Sequence, residues 1–525
     1  MRYLARIATT ACWSMLTATR MLAQEHPSSH TAGQLGSVHF ATSCSQSVAP
    51  TFDRAVAFLH SFEFGAAIRG FQDVIAADSS CAIAWWGIAI SRWTNPMTPN
   101  IRPPALLARG LEAVQAAARA SHASDRERGY IAAASQLYTD YQNRDQRTRV
   151  VAFEKAMEDL SAKFPADTEA KIFYAISLVA SAPPTDKTYV NQLKAGAILE
   201  QLFAAKPDHP GLAHYIIHSY DVPALAGRAE NAAERYADIA PAAAHARHMP
   251  SHTFTRVGMW NESVKTNLRS KEVALRDSSI AEALHASDYA VYAYLQMRRD
   301  SAARAILRGL PALEARFDPT VVSGAAPGSA GVFALAAIPA RYALERRAWG
   351  EAAGLRPKTS AFPYTEAVTH FARALGASHV GDAAKAQTSI DSLEVFHKRL
   401  AAANEAYWAE QVAIQRLGAM AWLDLARGKR DDALAKMREA ATREDATEKS
   451  AVTPGPLAPA HELLGDMLID LGRSAEALAE YRASLTREPN RYRSLYGASR
   501  AAAASGDRAA ASKYNSELAL LTKPR

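Results

Sequence analysis

The sequence predicts an all-α protein, a solenoid of stacked helix-turn-helix repeats, and three observations predict it. Gly472 and Gly506 stand 34 residues apart, and 458–491 reads as one complete helix-turn-helix unit of that length. Within this unit Leu464, Gly465, Ala477, Tyr481 and Pro489 fall at offsets suiting two packed antiparallel helices, with His461 where a bulky apolar residue is usual. No run of alternating β-branched residues bounded by Asn-Gly or Asp-Gly turns occurs, so strands are not expected.

Taken in order, the segments fit that scheme. Phe52 to Phe62 is amphipathic, and Ala67, Phe71 and Val74 repeat the small, aromatic, apolar pattern of a partner helix. Ala82 to Arg92 starts the next helix with Trp85 and Trp86, before the Pro-rich loop Pro96 to Pro104. Neighbouring tryptophans on a helix point in different directions, so at most one faces a groove and the other belongs to the core. Leu106 to Ala120, Glu127 to Tyr141 and Val150 to Phe164 carry apolar residues at three-and-four spacing, and Glu169 to Ala180 pairs with Val190 to Ala205. Pro207 to Pro210 opens a helix ending near Asp221, proline being at home in a first helical turn. Ala229 to Ile239, Ala244 to Val257, Asn261 to Leu275 and Leu284 to Gln296 follow, with Gly258 placed as Gly472 is. Residues 311–331, rich in Pro and Gly, read as an irregular joint between two arrays. Helices resume at Phe333 to Arg346 and continue to the last repeats, and the Pro-rich loop 446–459 stretches the interval from Gly428 to Gly472 to 44 residues. Abundant alanine suits such pairs, because small side chains let helices approach closely.

Length and composition agree. A chain of 525 residues with 49% hydrophobic and 22% charged residues is too long for one compact core and ordinary for a water-exposed protein. The formal charge is +7, and without Arg2, Arg6 and Arg20 the balance is 57 basic against 53 acidic residues. So small and scattered a surplus argues against nucleic acid as a partner. Arg2 and Arg6, the uncharged stretch Ile7 to Thr19 and Leu22-Ala23-Gln24 together resemble a secretory signal peptide over 1–23, which implies a periplasmic or secreted protein. No other segment is apolar enough to span a bilayer, so no transmembrane segment is expected in the mature chain. A cut after Ala23 leaves two of three cysteines, Cys44 and Cys81, either paired as a disulfide or standing as independent buried thiols. The expected organisation is a signal peptide (1–23), a polar segment (24–51), a first array (52–310), the connection (311–331) and a second array (332–525).

On these residues the chain resembles the tetratricopeptide repeat superfamily, most clearly over 458–519, 410–443 and 52–92. Further blocks resemble a group of bacterial, exported members without an assigned reaction: Thr42-Ser43-Cys44, Leu59-His60-Ser61-Phe62, Pro183 to Thr188, His209 to Asp221, His248 to Arg256 and Thr453-Pro454-Gly455-Pro456. The resemblance implies a curved solenoid holding a protein or peptide in its concave groove. The middle departs from the repeat pattern, with Ser263 and Asn267 where Ala and an aromatic are favoured.

That middle also concentrates histidine. Six of 16 lie between 209 and 252: His209, His214, His218, His245, His248 and His252. His214 and His218 are four apart on a helix and share a face, with Asp221 one turn on, a spacing that suits zinc or copper. Pro250 falls inside what the repeat makes a helix, so that helix either kinks or begins there. His252 and Arg256 share a face, with His285, Asp288 and Tyr292 on a following helix, and His218, His252 and Asp288 are expected to meet on the concave surface. Two readings of the ligand-binding set His214, His218, His248, His252, Arg256 and Asp288 stand beside plain hydrogen bonding at irregular junctions. One is a groove for an anionic or peptide ligand; the other is a divalent metal site built from His214, His218, Asp221 and His252, serving binding or catalysis. His214-Tyr215-Ile216-Ile217-His218 lacks the glutamate of the zinc-protease signature, and neither a phosphate loop, a Gly-x-Ser-x-Gly elbow nor a Cys-x-x-Cys pair occurs, so no catalytic residues and no resident cofactor are assigned. The expected function is a scaffold for a protein or peptide, with a metal-dependent protein centred on 209–252 as the alternative.

Overall fold

The computed structural model describes residues 34–98, 100–183, 185–322 and 324–523. The expected signal segment 1–23 lies outside them. Regular structure among the described residues is helical, apart from one isolated bridge between Cys81 and His122. Consecutive helices joined by short turns pack on each other from Ala49–His60 and Phe64–Ala77 through to Tyr492–Ala504 and Arg508–Thr522, an all-α solenoid of hairpins. No described helix is long and apolar enough to cross a membrane.

The turn glycines do what the 34-residue interval requires. Gly258, Gly428, Gly472 and Gly506 have φ of +74°, +79°, +75° and +84°, a left-handed conformation that costs glycine least. At Gly472 the backbone N–H donates to the carbonyl of Ile469, and that of Arg473 to Leu468, closing the helix Ala460–Asp470.

Three features place the functional region. First, the helix Asp300–Glu314 runs through Pro311, and Gly328 and Gly331 already belong to Gly328–Glu345, so the irregular connection is shorter than 311–331. Pro311 cannot donate to the Leu307 carbonyl one turn back, and the helix ends three residues later at Glu314. An apolar cluster of Ile280, Leu284, Leu310, Ala334, Ile338 and Tyr342 continues the core across this connection. Second, the loop 446–459 turns inward: Val452, Thr453, Leu457 and Ala458 are buried, and Arg341, itself fully buried, donates to Pro456 O, Gly455 O and Thr453 Oγ1. Inner faces near the histidines are therefore covered by the chain's own loop. Third, Cys44 and Cys81 are joined, tying the N-terminal segment to the turn before Ala82–Trp93. On that helix Trp86 is buried against Phe40, Tyr130 and Phe173, while Trp85 is half-buried.

Candidate metal centre

Three short helical pieces and one long helix bring six imidazoles together. Pro210–Ser219 carries His214 and His218 on one face. Ala244–His248 ends where Pro250–Arg256 begins, with Met249 between them still in helical conformation. Pro250 thus breaks the hydrogen-bond ladder while His245, His248 and His252 keep one face. Ile280–Gln296 adds His285 and Tyr289. All six histidines are buried, and neighbouring ring centroids run 4.8 Å (His214–His218), 5.0 Å (His214–His245), 5.8 Å (His245–His248), 5.0 Å (His248–His252) and 4.4 Å (His248–His285).

They divide into two neighbouring triads. His214, His218 and His245 each offer a ring nitrogen within 4.8 Å of the others, and so do His248, His252 and His285. In the first triad His214 Nδ1 lies 2.6 Å from His60 O and His245 Nδ1 lies 3.2 Å from a Glu282 carboxylate oxygen. A carbonyl and a carboxylate only accept, so both Nδ1 atoms carry the proton and both Nε2 atoms are bare lone pairs. Nε2 of His214, His218 and His245 is buried with no hydrogen-bond partner in the protein. Two inward lone pairs and a third unpartnered ring nitrogen, that of His218, are costly to bury unless something fills the space between them.

The second triad makes the same point more sharply. His248 Nδ1 donates to Asn267 Oδ1 at 2.7 Å, an orientation fixed because Asn267 Nδ2 donates to Ser263 O. His252 Nδ1 donates to Asp221 at 2.8 Å. Burial opposes ionisation of Asp221, but Lys449, Arg256 and His252 hold its carboxyl well below the usual carboxylate range. With both Nδ1 atoms protonated, the two Nε2 atoms face each other as lone pairs only 3.1 Å apart. Tyr289 OH is 3.3 Å from His252 Nε2 and 3.1 Å from Thr453 O, and His285 Nδ1 has no partner. Nitrogens about 2.0–2.1 Å from one tetrahedral zinc lie about 3.4 Å apart, close to this separation.

In five of these rings burial favours the neutral form, the one that binds metals. It pushes His218 down to about 3 and His248 to about 4, and lowers His214, His252 and His285 well below the ordinary value. Glu282 accepts from His245 and from the Ala326 backbone, and despite its burial these contacts hold its pKa below the ordinary value. Asp221 and Glu282 thus stand behind ring nitrogens as the orienting carboxylates of histidine-ligated metals do.

The remaining sequence-singled residues divide clearly. Asp221 contacts His252 Nδ1, Arg256 and Lys449, so it backs an imidazole. Arg256 is buried and bound to both the Asp221 carboxylate and its carbonyl. Asp288 is not brought to His218 and His252 by any contact; it accepts from Arg341 Nε at 2.9 Å. His209 joins a separate cluster with His60, around Glu169. The sequence marks Asn267 only as a departure from the repeat, and it gives no signal for Tyr289 and Lys449. Glu282 lies three residues before His285 on one helix, a spacing that would have flagged it.

A cavity of about 10 Å³, room for about one water-sized body, adjoins His218, His245, His252 and His285. Its other walls are Asn95, Thr98, Ala325 to Pro327, Ala330, Ala451 and Val452.

No protein-family model matches the chain, and no curated protein matches it. Among solved structures it is similar to the human IFIT1 dimer with m7Gppp-AAAA, at 12% identity and a TM-score of 0.40 over 84% of this chain and 90% of that one. It is also similar to the APC/C hetero-tetramer Cut9-Hcn1 (10%, 0.39, 90% and 73%) and to yeast Tom70 (12%, 0.35, 88% and 96%). Likeness at these scores carries no argument about function, and the repeat assignment rests on the hairpins and turn glycines above.

Proposed function

We propose that this helical-repeat protein binds divalent transition-metal ions, copper or zinc, at two neighbouring three-histidine sites, His214/His218/His245 and His248/His252/His285. The observation that carries this is the pair of His248 and His252 Nε2 lone pairs facing each other 3.1 Å apart while their Nδ1 protons are committed elsewhere. A ligand set of neutral imidazoles suits copper and zinc over magnesium or calcium, which take oxygen. Three nitrogens leave the fourth position of a tetrahedral ion open, as in catalytic zinc sites. The joined Cys44 and Cys81, with the expected signal segment, support an oxidising extracytoplasmic location.

The test is metal stoichiometry. Full-length protein stripped with chelator and dialysed separately against copper and zinc is expected to retain about two ions per chain of at least one metal. A His214→Ala, His245→Ala double variant with unchanged circular dichroism is expected to retain about one. Retention no greater than that of a His370→Ala, His397→Ala control that has also lost both triads ends the reading.

A further inference from the structure

We infer that the cavity beside the metal centre is a binding site for a small amphipathic organic anion, a carboxylate with an apolar body. The inference rests on the metal-centre reading and says what would approach it. Asn95, Thr98, Ala325, Ala326 and Pro327 line both the small histidine chamber and a second cavity of about 680 Å³, so a single layer of residues separates the two. That volume is the size of a small-molecule site.

The chemistry of its walls selects the ligand. Leu106, Val322 and Phe362 give it an apolar side. Arg92 and Arg109, from neighbouring helices, give it a positive side; Arg92 is half-buried, and neither makes an ion pair or hydrogen bond among the described residues. A third guanidinium, Arg102, is buried, and its bonds go to carbonyls alone: Trp93, Asn95, Thr98 and Asn100. Carbonyl dipoles satisfy its N–H groups but do not cancel its charge. Three arginines, of which Arg109 is exposed and Arg92 half-buried, thus line the cavity with one carboxylate, Glu405, which burial pushes towards its neutral form. Burial and the nearness of Arg109 depress the pKa of Arg92, as expected of cations lacking a counter-ion. An arginine pair without a carboxylate is suited to bidentate capture of one from a ligand. Glu282 links this wall to the metal centre, because it holds both His245 Nδ1 and the Ala326 N–H.

The experiment uses benzoate as the anionic probe, benzamide as its neutral counterpart, and full-length protein loaded with paramagnetic copper(II) or diamagnetic zinc. Proton relaxation of benzoate is expected to be several-fold faster with the copper form than the zinc form, saturably, while benzamide shows no such difference. An Arg92→Gln, Arg109→Gln double variant is expected to keep its metal and need at least tenfold more benzoate. Equal relaxation in both metal forms, equal response to benzamide, or an unchanged variant overturns the inference. If the chain retains no metal, the metal-centre reading fails separately. Saturation-transfer measurement on metal-free protein then decides this one: binding of benzoate that the double variant loses supports it, and absence of binding overturns it.

Discussion

Two buried histidine clusters lie within one stretch of this molecule and resolve the same electrostatic problem in opposite ways. Around Glu169, His60 Nε2 at 2.8 Å and His209 Nε2 at 2.9 Å each meet a carboxylate oxygen. Burial opposes the Glu169 charge, yet the two histidines hold its pKa far below the ordinary value, so both Nε2 atoms donate, and His60 Nδ1 accepts from Tyr215 OH. An anion already occupies the point where these rings converge. In the six-histidine centre the carboxylates Asp221 and Glu282 sit behind the rings instead, on Nδ1, and turn the Nε2 lone pairs inward. A carboxylate in front of imidazoles makes a closed structural knot. Placed behind them, it leaves their lone pairs free for the ions proposed above.

The contrast can be broken or sharpened by variants, taken here from the largest expected effect. Glu169→Leu leaves two buried N–H groups without an acceptor and is expected to cost about 3–5 kcal/mol in urea unfolding, with metal stoichiometry unchanged in whatever remains folded. A stable variant that loses metal would erase the distinction between the clusters. Glu282→Gln keeps the shape but removes the charge behind His245, and chelator competition is expected to show affinity about 10–100-fold weaker for the ion at His214/His218/His245. Unaltered affinity would mean that Glu282 serves only the Ala326 backbone. The smallest effect belongs to His461, a histidine of the third kind, partly exposed between Glu480 and Asp445. Burial opposes its charge, but those two carboxylates raise its pKa from 6.5 to about 9. Its stabilisation is therefore fully present below pH 6.5 and lost as pH rises through 9. His461→Gln is expected to destabilise by under about 1 kcal/mol at pH 6 and by almost nothing near pH 9.5. A larger loss at the higher pH would reverse the assignment.

The repeat architecture is legible in residues that obey simple rules. Gly258, Gly428, Gly472 and Gly506 mark turns because left-handed backbone there favours glycine, and a local rule of that kind survives any tertiary context. The site is legible only in part. Histidine density and the spacing of His214 with His218 and of His248 with His252 point to the right helices. The grouping into triads depends on how three separate helices lie against one another, which no local spacing encodes. Asp288 shows the limit: it shares a helix face with His285, yet the buried guanidinium of Arg341, 53 residues away, claims it. Ser263 and Asn267 show the reverse, since their departure from the repeat pattern has a cause. Asn267 Oδ1 receives the His248 proton and its Nδ2 is anchored on the Ser263 backbone carbonyl, which an aromatic ring at 267 could not match, while the Ser263 hydroxyl meets Thr255 Oγ1 at 3.2 Å, a contact alanine would lose.

The inward loop 446–459 gives the centre a history as well as a roof. The six imidazoles come from 214–285, but Tyr289 OH is capped by Thr453 O and Asp221 by Lys449, contributed by chain roughly two hundred residues downstream, a separation that folding closes late. Without that later segment the histidine helices would lack these caps. Local opening of this loop would remove the same caps while leaving the helical hairpins intact. If the proposed ions bind, their entry and release would follow the docking equilibrium of the loop, and the rate of metal exchange would report how firmly the end of the chain is seated on its middle.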